Sequence, residues 1–378
     1  MAIAAASDPS DLIRVMIVDD SVFVRGLAAR WISEEDGVEV VASCRSGLQA
    51  ISGFAAARPD VVILDVEMPD MDGVQALPLL LAAKPGLAVI MNSSFTTHGA
   101  DLSLRCLALG AADVLAKPSK ASGSPDEYRR DLMAKVRALG PAARRRAGQA
   151  AVAAPKDVPR APRQKPIPAP AAAPAVGASR SGASQIRAIA IGSSTGGPQA
   201  LAEVLRALKP AAAHAPIVIV QHMPAGFTAT LAKHLTETSG FPVREAMDGD
   251  PILSGTAYVA PGGRHFSLDL DGSRAVARIE DGAPINFCKP SVDPLFRSAE
   301  RIFKSGLAAV VLTGMGSDGA SAVPSIAASG GRVIAQDEAS SVVWGMPGAA
   351  VATGACAEVL PLKEIGPWLV RETLRGRR

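Results

Sequence analysis

Short apolar runs alternate with helix-like stretches along almost the whole chain, and this alternation limits the possible folds more than any other feature. Runs at 15–18, 38–42, 61–64, 87–91 and 113–116 read as strands. Between them, 22–32, 47–57, 72–83 and 99–109 read as helices. Neighbouring parallel strands need a crossover long enough to cover the sheet, and a helix supplies it. Alternation sustained over about 120 residues therefore implies a doubly wound parallel sheet. From 186 the pattern resumes for about 190 residues. Its strands read at 187–191, 217–220, 257–259, 307–312 and 333–335, with a hairpin within 266–279 and a closing helix over 362–374. The predicted fold class is α/β, with two doubly wound parallel-sheet domains.

Residues 140–185 follow neither pattern. Prolines recur at 141, 155, 159, 162, 166, 168, 170 and 174, alanine fills most gaps, and eight basic side chains face one acid, Asp157. This composition reads as a flexible, basic Pro/Ala-rich linker, spanning roughly 35–40 Å on average. With 378 residues the chain is too long for one typical core. The expected division is a first domain over 12–135, the linker over 140–185, and a second domain over 186–376.

Composition excludes several functions. A net charge of +3 gives no electrostatic basis for nucleic-acid or anionic-membrane binding. Cys44, Cys106, Cys288 and Cys356 form no CxxC pair, so a zinc site is not expected. The start of the chain lacks a basic segment before its apolar residues, and no apolar run reaches about 18 residues. A cytoplasmic protein without membrane insertion is the expectation.

In the first half, chemistry-bearing residues gather at strand ends. Asp19 and Asp20 close the first strand, Asp65 the third, Ser93 the fourth, and Lys117 with Pro118 the fifth. The carboxyl edge of such a sheet is where ligands bind. Three close carboxylates repel unless a cation joins them, and magnesium suits an all-oxygen site. Asp65 could then attack a phosphoryl donor, with Lys117 and the Ser93 hydroxyl binding the added oxygens.

The second half repeats this placement with different chemistry. Strand-like runs lead into Gly192-Ser193-Ser194-Thr195-Gly196-Gly197, into Gln221-His222-Met223-Pro224, and into Thr313-Gly314-Met315-Gly316-Ser317-Asp318-Gly319. Ser194 as nucleophile, His222 as base and Asp318 as orienting acid would make a hydrolytic triad. Free N–H groups at the turn before the next helix would favour the developing oxyanion. The order Ser…His…Asp differs from the Ser…Asp…His of α/β-hydrolases. A phosphate-binding turn is the competing reading, but Gly192 to Gly197 misses the GxGxxG spacing and His222 stands where a ribose-binding acid belongs.

These segments resemble known families. Val18-Asp19-Asp20-Ser21, Leu64-Asp65-Val66-Glu67-Met68-Pro69 and Ala116-Lys117-Pro118 resemble the receiver domain of two-component response regulators. That likeness implies phosphorylation of Asp65 by a histidine kinase, magnesium held by Asp19, Asp20 and Asp65, and a cis bond before Pro118. The second half resembles the catalytic domain of chemotaxis protein-glutamate methylesterases, the CheB family. The segments carrying this are Ile191 to Pro198, Gln221 to Phe227, Ala260-Pro261-Gly262-Gly263, Pro290-Ser291-Val292-Asp293 and Leu312 to Gly319. The likeness implies a flavodoxin-like receiver sheet followed by a Rossmann-like methylesterase sheet. It implies Ser194, His222 and Asp318 as the triad, with Thr195 and Met315 ordering the turn and oxyanion site. It further implies hydrolysis of glutamate methyl esters and deamidation of glutamines on chemotaxis receptors, without a cofactor for the esterase step. Recruitment to membrane receptor arrays follows from that substrate. The unphosphorylated receiver would cover the cleft. A regulator that binds receptors with a silent hydrolase site is the alternative.

Two departures stand out. Many receivers carry an aromatic residue three positions before the lysine, where this chain has Val114. Many methylesterases carry a histidine before Pro-Ser-Val-Asp, where this chain has Asn286-Phe287-Cys288-Lys289. Cys288 is a rival nucleophile, for which an inert buried role is expected. His265 is a rival base, for which a structural role is expected. Met223, Phe227, Met315 and Trp344 are candidates to line the cleft.

Overall fold

The computed structural model describes residues 12–94, 96–117, 124–153 and 184–376. The expected cis bond at Pro118, the amino-terminal segment and the linker over 154–183 lie outside these residues. The first half runs β1 (Ile13–Val18), α1 (Val22–Ser33), β2 (Val38–Cys44), α2 (Gly47–Ala57), β3 (Val61–Asp65), α3 (Gly73–Ala83), β4 (Ala88–Ser93), α4 (Thr97–Ala108), β5 (Asp113–Ala116) and α5 (Pro125–Ala153). The five strands pair in parallel in the order β2-β1-β3-β4-β5. Both faces are covered, so the central strands are apolar on both sides; every residue of β3 is buried. The order reverses beside β1, which opens a crevice between β1 and β3 at their carboxyl ends.

The second half runs β6 (Ala188–Ser193), α6 (Gly197–Ala212), β7 (Ile217–Gln221), α7 (Phe227–Ser239), β8 (Val243–Glu245), β9 (Ala257–Val259), β10 (His265–Asp271), β11 (Arg274–Glu280), α8 (Val292–Phe303), β12 (Leu307–Val311), α9 (Val323–Ala328), β13 (Arg332–Gln336), α10 (Met346–Ala352), β14 (Glu358–Leu360) and α11 (Leu362–Leu374). Seven parallel strands take the order β14-β13-β12-β6-β7-β9-β8, and β10 with β11 forms a separate antiparallel hairpin. The strand order reverses beside β6, between β12 and β7. The ends of β12, β6 and β7 are therefore adjacent, and these three strands carry the three polar clusters.

Two strands, β8 and β14, have no counterpart in the sequence reading. Each has three residues at a sheet edge, too short to show an apolar run. The linker boundary also needs correction. Residues 140–153 continue helix α5. Leu139, Ala142 and Ala143 are buried, and Arg144 bonds Asp60 at 2.9 Å, which holds the helix to its sheet past Pro141. Met223 and Phe227 pack in the core rather than line a cleft.

Candidate active site

Backbone geometry at the end of β6 sets the position of Ser194. Gly196 adopts φ +76°, a conformation glycine takes without steric cost, and it turns the chain into α6. A Cβ on Gly314 would lie 2.8 Å from Ser194 Cβ, so only a bare backbone after β12 leaves room for the serine. Gln221 ties the strand ends together. Its Oε1 accepts from Ser193 Oγ at 2.7 Å, and its Nε2 donates to the Ser194 carbonyl at 2.9 Å. Sequence reasoning passed over Gln221, because a buried glutamine at a strand end carries no motif of its own.

His222 and Asp318 meet across the β7 and β12 ends, with Nε2 2.8 Å from Oδ2. Their side chains are 12% and 2% exposed. Asp318 also accepts from Ser291 Oγ at 2.7 Å, the Val292 N–H at 2.6 Å, and both Asn286 Nδ2 and the Gly319 N–H at 3.1 Å. Burial alone would raise the Asp318 pKa, but the His222 bond and these donors bring it down to about 2. Burial also opposes charge on His222, yet its bonds to Asp318 and Cys288 lift the imidazole to about 9. With Nε2 bonded to the carboxylate, Nδ1 is the ring nitrogen open to proton exchange.

Nδ1 faces Cys288 Sγ at 3.5 Å, and the thiol is half-buried. The expectation of a buried cysteine is therefore corrected: Cys288 is half-buried and touches the candidate base. The two residues are 66 positions apart, so only the fold brings them together. The Ser194 hydroxyl makes no hydrogen bond among the described residues. His265 is structural: Nε2 lies 2.9 Å from the Ala283 carbonyl, and Nδ1 accepts the Ser291 N–H at 3.3 Å.

The predicted acidic pocket forms at the β1 and β3 ends. Lys117 Nζ lies 2.6 Å from Asp65 Oδ2 and 2.9 Å from Asp19 Oδ2. Asp19, Asp20 and Asp65 each offer a carboxylate oxygen within 4.8 Å of the others, an all-oxygen set of the kind magnesium favours. Burial, with the Asp19 charge beside it, raises Asp65 to about 6 against the pull of Lys117. Asn92 is a further member. Its Nδ2 donates to Asp19 Oδ2 at 3.3 Å and its Oδ1 accepts from Tyr128 at 3.0 Å. Ser93 turns elsewhere: its hydroxyl donates to the Gly99 carbonyl at 3.0 Å, in the first turn of α4.

The two sites are joined through the turn that carries Ser194. The Gly196 N–H donates to the Ala112 carbonyl at 3.2 Å, and the Thr195 hydroxyl donates to Asp113 Oδ2. Gln199 Nε2 donates to the carbonyls of Leu107 and Ala111, at 2.9 and 2.6 Å. Met315 and Val342 pack against the apolar cluster between the first sheet and α5. The N–H groups of Thr195 and Met315 donate no hydrogen bond among the described residues.

Comparison with known proteins agrees with this division. The CheB methylesterase family model matches residues 189–369, and the response regulator receiver domain model matches 15–123. A protein-glutamate methylesterase/protein-glutamine glutaminase of Rhodopseudomonas palustris strain BisB5 is 48% identical, covering 98% of this chain and 98% of that protein. A protein of that name from the group 2 operon of Bradyrhizobium diazoefficiens is also 48% identical, over 94% of this chain and 92% of that one. Among solved structures, the CheB methylesterase catalytic domain of Thermotoga maritima is 39% identical, covers 50% of this chain and 99% of its own, and superposes with a TM-score of 0.48. By motif, strand order and near full-length similarity, this chain belongs to the CheB methylesterase family, with a response regulator receiver domain ahead of its methylesterase domain.

Proposed function

We propose that this protein hydrolyses glutamate methyl esters, and deamidates glutamines, on chemotaxis receptors, and that phosphorylation of Asp65 switches the activity on. The bonded His222–Asp318 pair beside the Ser194 turn carries the reading. Ser194 Oγ attacks the side-chain carbonyl carbon while His222 Nδ1 takes the hydroxyl proton. That proton passes to the departing methoxide, which leaves as methanol, or to the departing amine, which leaves as ammonia. Water then attacks the acyl-serine, Nδ1 takes its proton and returns it to Ser194 Oγ, and a glutamate carboxylate is released. Asp318 fixes the imidazole and stabilises its charged form. The free N–H groups of Thr195 and Met315 are suited to receive the oxyanion. No cofactor enters this chemistry.

In the receiver, Asp19, Asp20 and Asp65 would hold magnesium. Bound there, the cation neutralises the acids and supplies positive charge for phosphoryl transfer from a histidine kinase. Asp65 accepts the phosphoryl group, while Lys117 and a reoriented Ser93 hydroxyl bind its oxygens. Ser93 leaves Gly99 in doing so, which loosens the start of α4, and α4 with the 111–113 segment holds the Ser194 turn. The domains proposed for this work are the receiver, now extended by α5, and the methylesterase domain from 186. No helix of the described residues is long and apolar enough to cross a membrane; the proposed place of action is the cytoplasm, at receptor arrays. Methanol release from a methylated receptor fragment tests the reading. Ser194→Ala is expected to abolish release with and without phosphodonor, and undiminished release would refute the triad.

A further inference from the structure

A two-residue turn at the rim of the site holds a phenylalanine in a conformation that does not suit it. Ile285 and Cys288 exchange backbone hydrogen bonds at 3.1 and 2.8 Å, closing a tight hairpin. Its central residues, Asn286 and Phe287, both take positive φ, 52° and 61°. Tight hairpins of this hand favour Asn-Gly, because the second residue also needs the left-handed region. Asparagine tolerates that region, but a bulky aromatic side chain there is a rare and strained choice. Strain of this kind persists where the surrounding structure enforces it, and it concentrates at functional sites.

The ring gains nothing from burial in return, since Phe287 is 80% exposed, the most exposed large apolar side chain among the described residues. Its one ring contact among the described residues is the Arg130 guanidinium of α5, 5.7 Å from the ring centre. The turn is nevertheless anchored to the chemistry on both sides. Asn286 Nδ2 bonds Asp318 Oδ1 at 3.1 Å, and Cys288 Sγ lies 3.5 Å from His222 Nδ1. The position of the aromatic ring is thus tied to the two residues that manage the proton.

We propose that Phe287 is the substrate-gripping residue of the methylesterase domain, an apolar contact for the helical face that flanks the modified glutamate. This rests on the methylesterase reading and goes beyond it by naming the residue that distinguishes a receptor helix from a free ester. A carboxylate ester on a helix sits among neighbours three and four positions away on the same face. An exposed aromatic beside the triad can pack on such a neighbour with little loss of conformational entropy. Arg130 places a receiver side chain beside the same ring.

The test uses the full chain with phosphodonor and compares Phe287→Asn, Phe287→Ala and Phe287→Trp. Three measurements are made: kcat and KM on a methylated receptor fragment, hydrolysis of a blocked glutamate γ-methyl ester, and thermal midpoint. Phe287→Asn is expected to raise the receptor KM by about tenfold with kcat little changed. The small ester should be hydrolysed as before, and the thermal midpoint should rise because asparagine relieves the strained position. Phe287→Trp should restore the receptor KM. Co-sedimentation of the Phe287→Asn protein with receptor fragment should weaken in parallel, independently of turnover. A lower midpoint with unchanged KM would make Phe287 structural and overturn the proposal. So would equal loss on both substrates, which would mean the turn only positions His222 and Asp318. Wild-type protein inert toward both substrates would instead refute the methylesterase reading on which the proposal stands.

Discussion

Removing the Asp113 side chain should uncouple the esterase from its switch. Asp113 is a receiver residue, so its loss leaves every group of the proposed triad in place. It is buried, and its Oδ2 receives the Thr195 hydroxyl from the Ser194 turn as well as Lys135 from α5. A hydrogen bond to a charged acceptor is worth ~1.5–3 kcal/mol. At 1.4 kcal/mol per tenfold, its loss shifts the proposed equilibrium between a closed form, with the receiver held on the Ser194 turn, and an open, released form by about 10- to 140-fold. In the absence of phosphodonor, Asp113→Ala should raise methanol release from methylated receptor by that factor, up to the rate of fully open protein. With saturating phosphodonor the rate should match wild type, because the open state no longer uses the contact. Lys135→Ala controls for the second partner: it leaves the Asp113–Thr195 bond in place and should remain repressed. Two results would refute the reasoning. One is an unchanged basal rate in a folded Asp113→Ala protein; the other is a parallel rise in both rates, which would place the effect in catalysis.

Further outcomes follow from the His222 environment. With its pKa lifted to about 9 in this structure, only about one imidazole in a hundred is neutral at pH 7. Blank-corrected release by unphosphorylated protein should therefore climb about tenfold per pH unit from about pH 6 to about pH 8, and a plateau already at pH 7 would refute this. The same shift adds stability that is fully present below the unfolded value of 6.5 and is lost as pH rises through about 9, which denaturant midpoints across that window would report. Asp318 acts at the other end: held at about 2 against 3.8, it contributes above 3.8 and loses that contribution as pH falls through about 2. Because these are two partners of one bond, their effects are not summed. Finally, iodoacetamide should inactivate wild-type protein by seating a carboxamidomethyl group against His222 Nδ1, and Cys288→Ala should resist; equal inactivation of both would exclude this thiol as the target.

The central strands were legible in the sequence because burial on both faces leaves near-continuous apolar runs. The residues ending those runs, Asp19, Asp65, Lys117, Ser194 and His222, were legible for the same reason, since a polar residue closing such a run stands at a sheet edge. What could not be read depends on distant neighbours. Pro141 and the arginines after it have linker composition, yet Arg144 finds Asp60, 84 positions away, and the helix continues. Cys288 and His222 are near only in space, so no motif joins them. Asn92 is an unremarkable strand residue until Asp19 and Tyr128 close around it. The three-residue edge strands show no period that a pattern could reveal.

The valine at position 114, where many receivers carry an aromatic residue, suggests a short route between the two sites. Val114 is buried, and among the described residues it makes no hydrogen bond to the methylesterase domain. The contacts to the Ser194 turn come instead from its immediate surroundings. Asp113 holds Thr195, the Ala112 carbonyl holds the Gly196 N–H, and the Leu107 and Ala111 carbonyls hold Gln199. Three of these four acceptors are backbone carbonyls, so their positions follow α4 and the lead into β5 as rigid elements. The same elements meet the phosphoacceptor pocket at their other ends. Ser93 bonds Gly99 in the first turn of α4, and its carbonyl accepts the Lys117 N–H at 2.8 Å beside β5. A rotating ring would be an additional moving part between two sites already joined by one helix and one strand. In the proposed switch, displacing α4 by breaking the Ser93–Gly99 bond would act on Gln199 through the Leu107 carbonyl. Displacing the 111–113 segment would free the Gly196 N–H and the Thr195 hydroxyl together, beside the N–H groups proposed for the oxyanion.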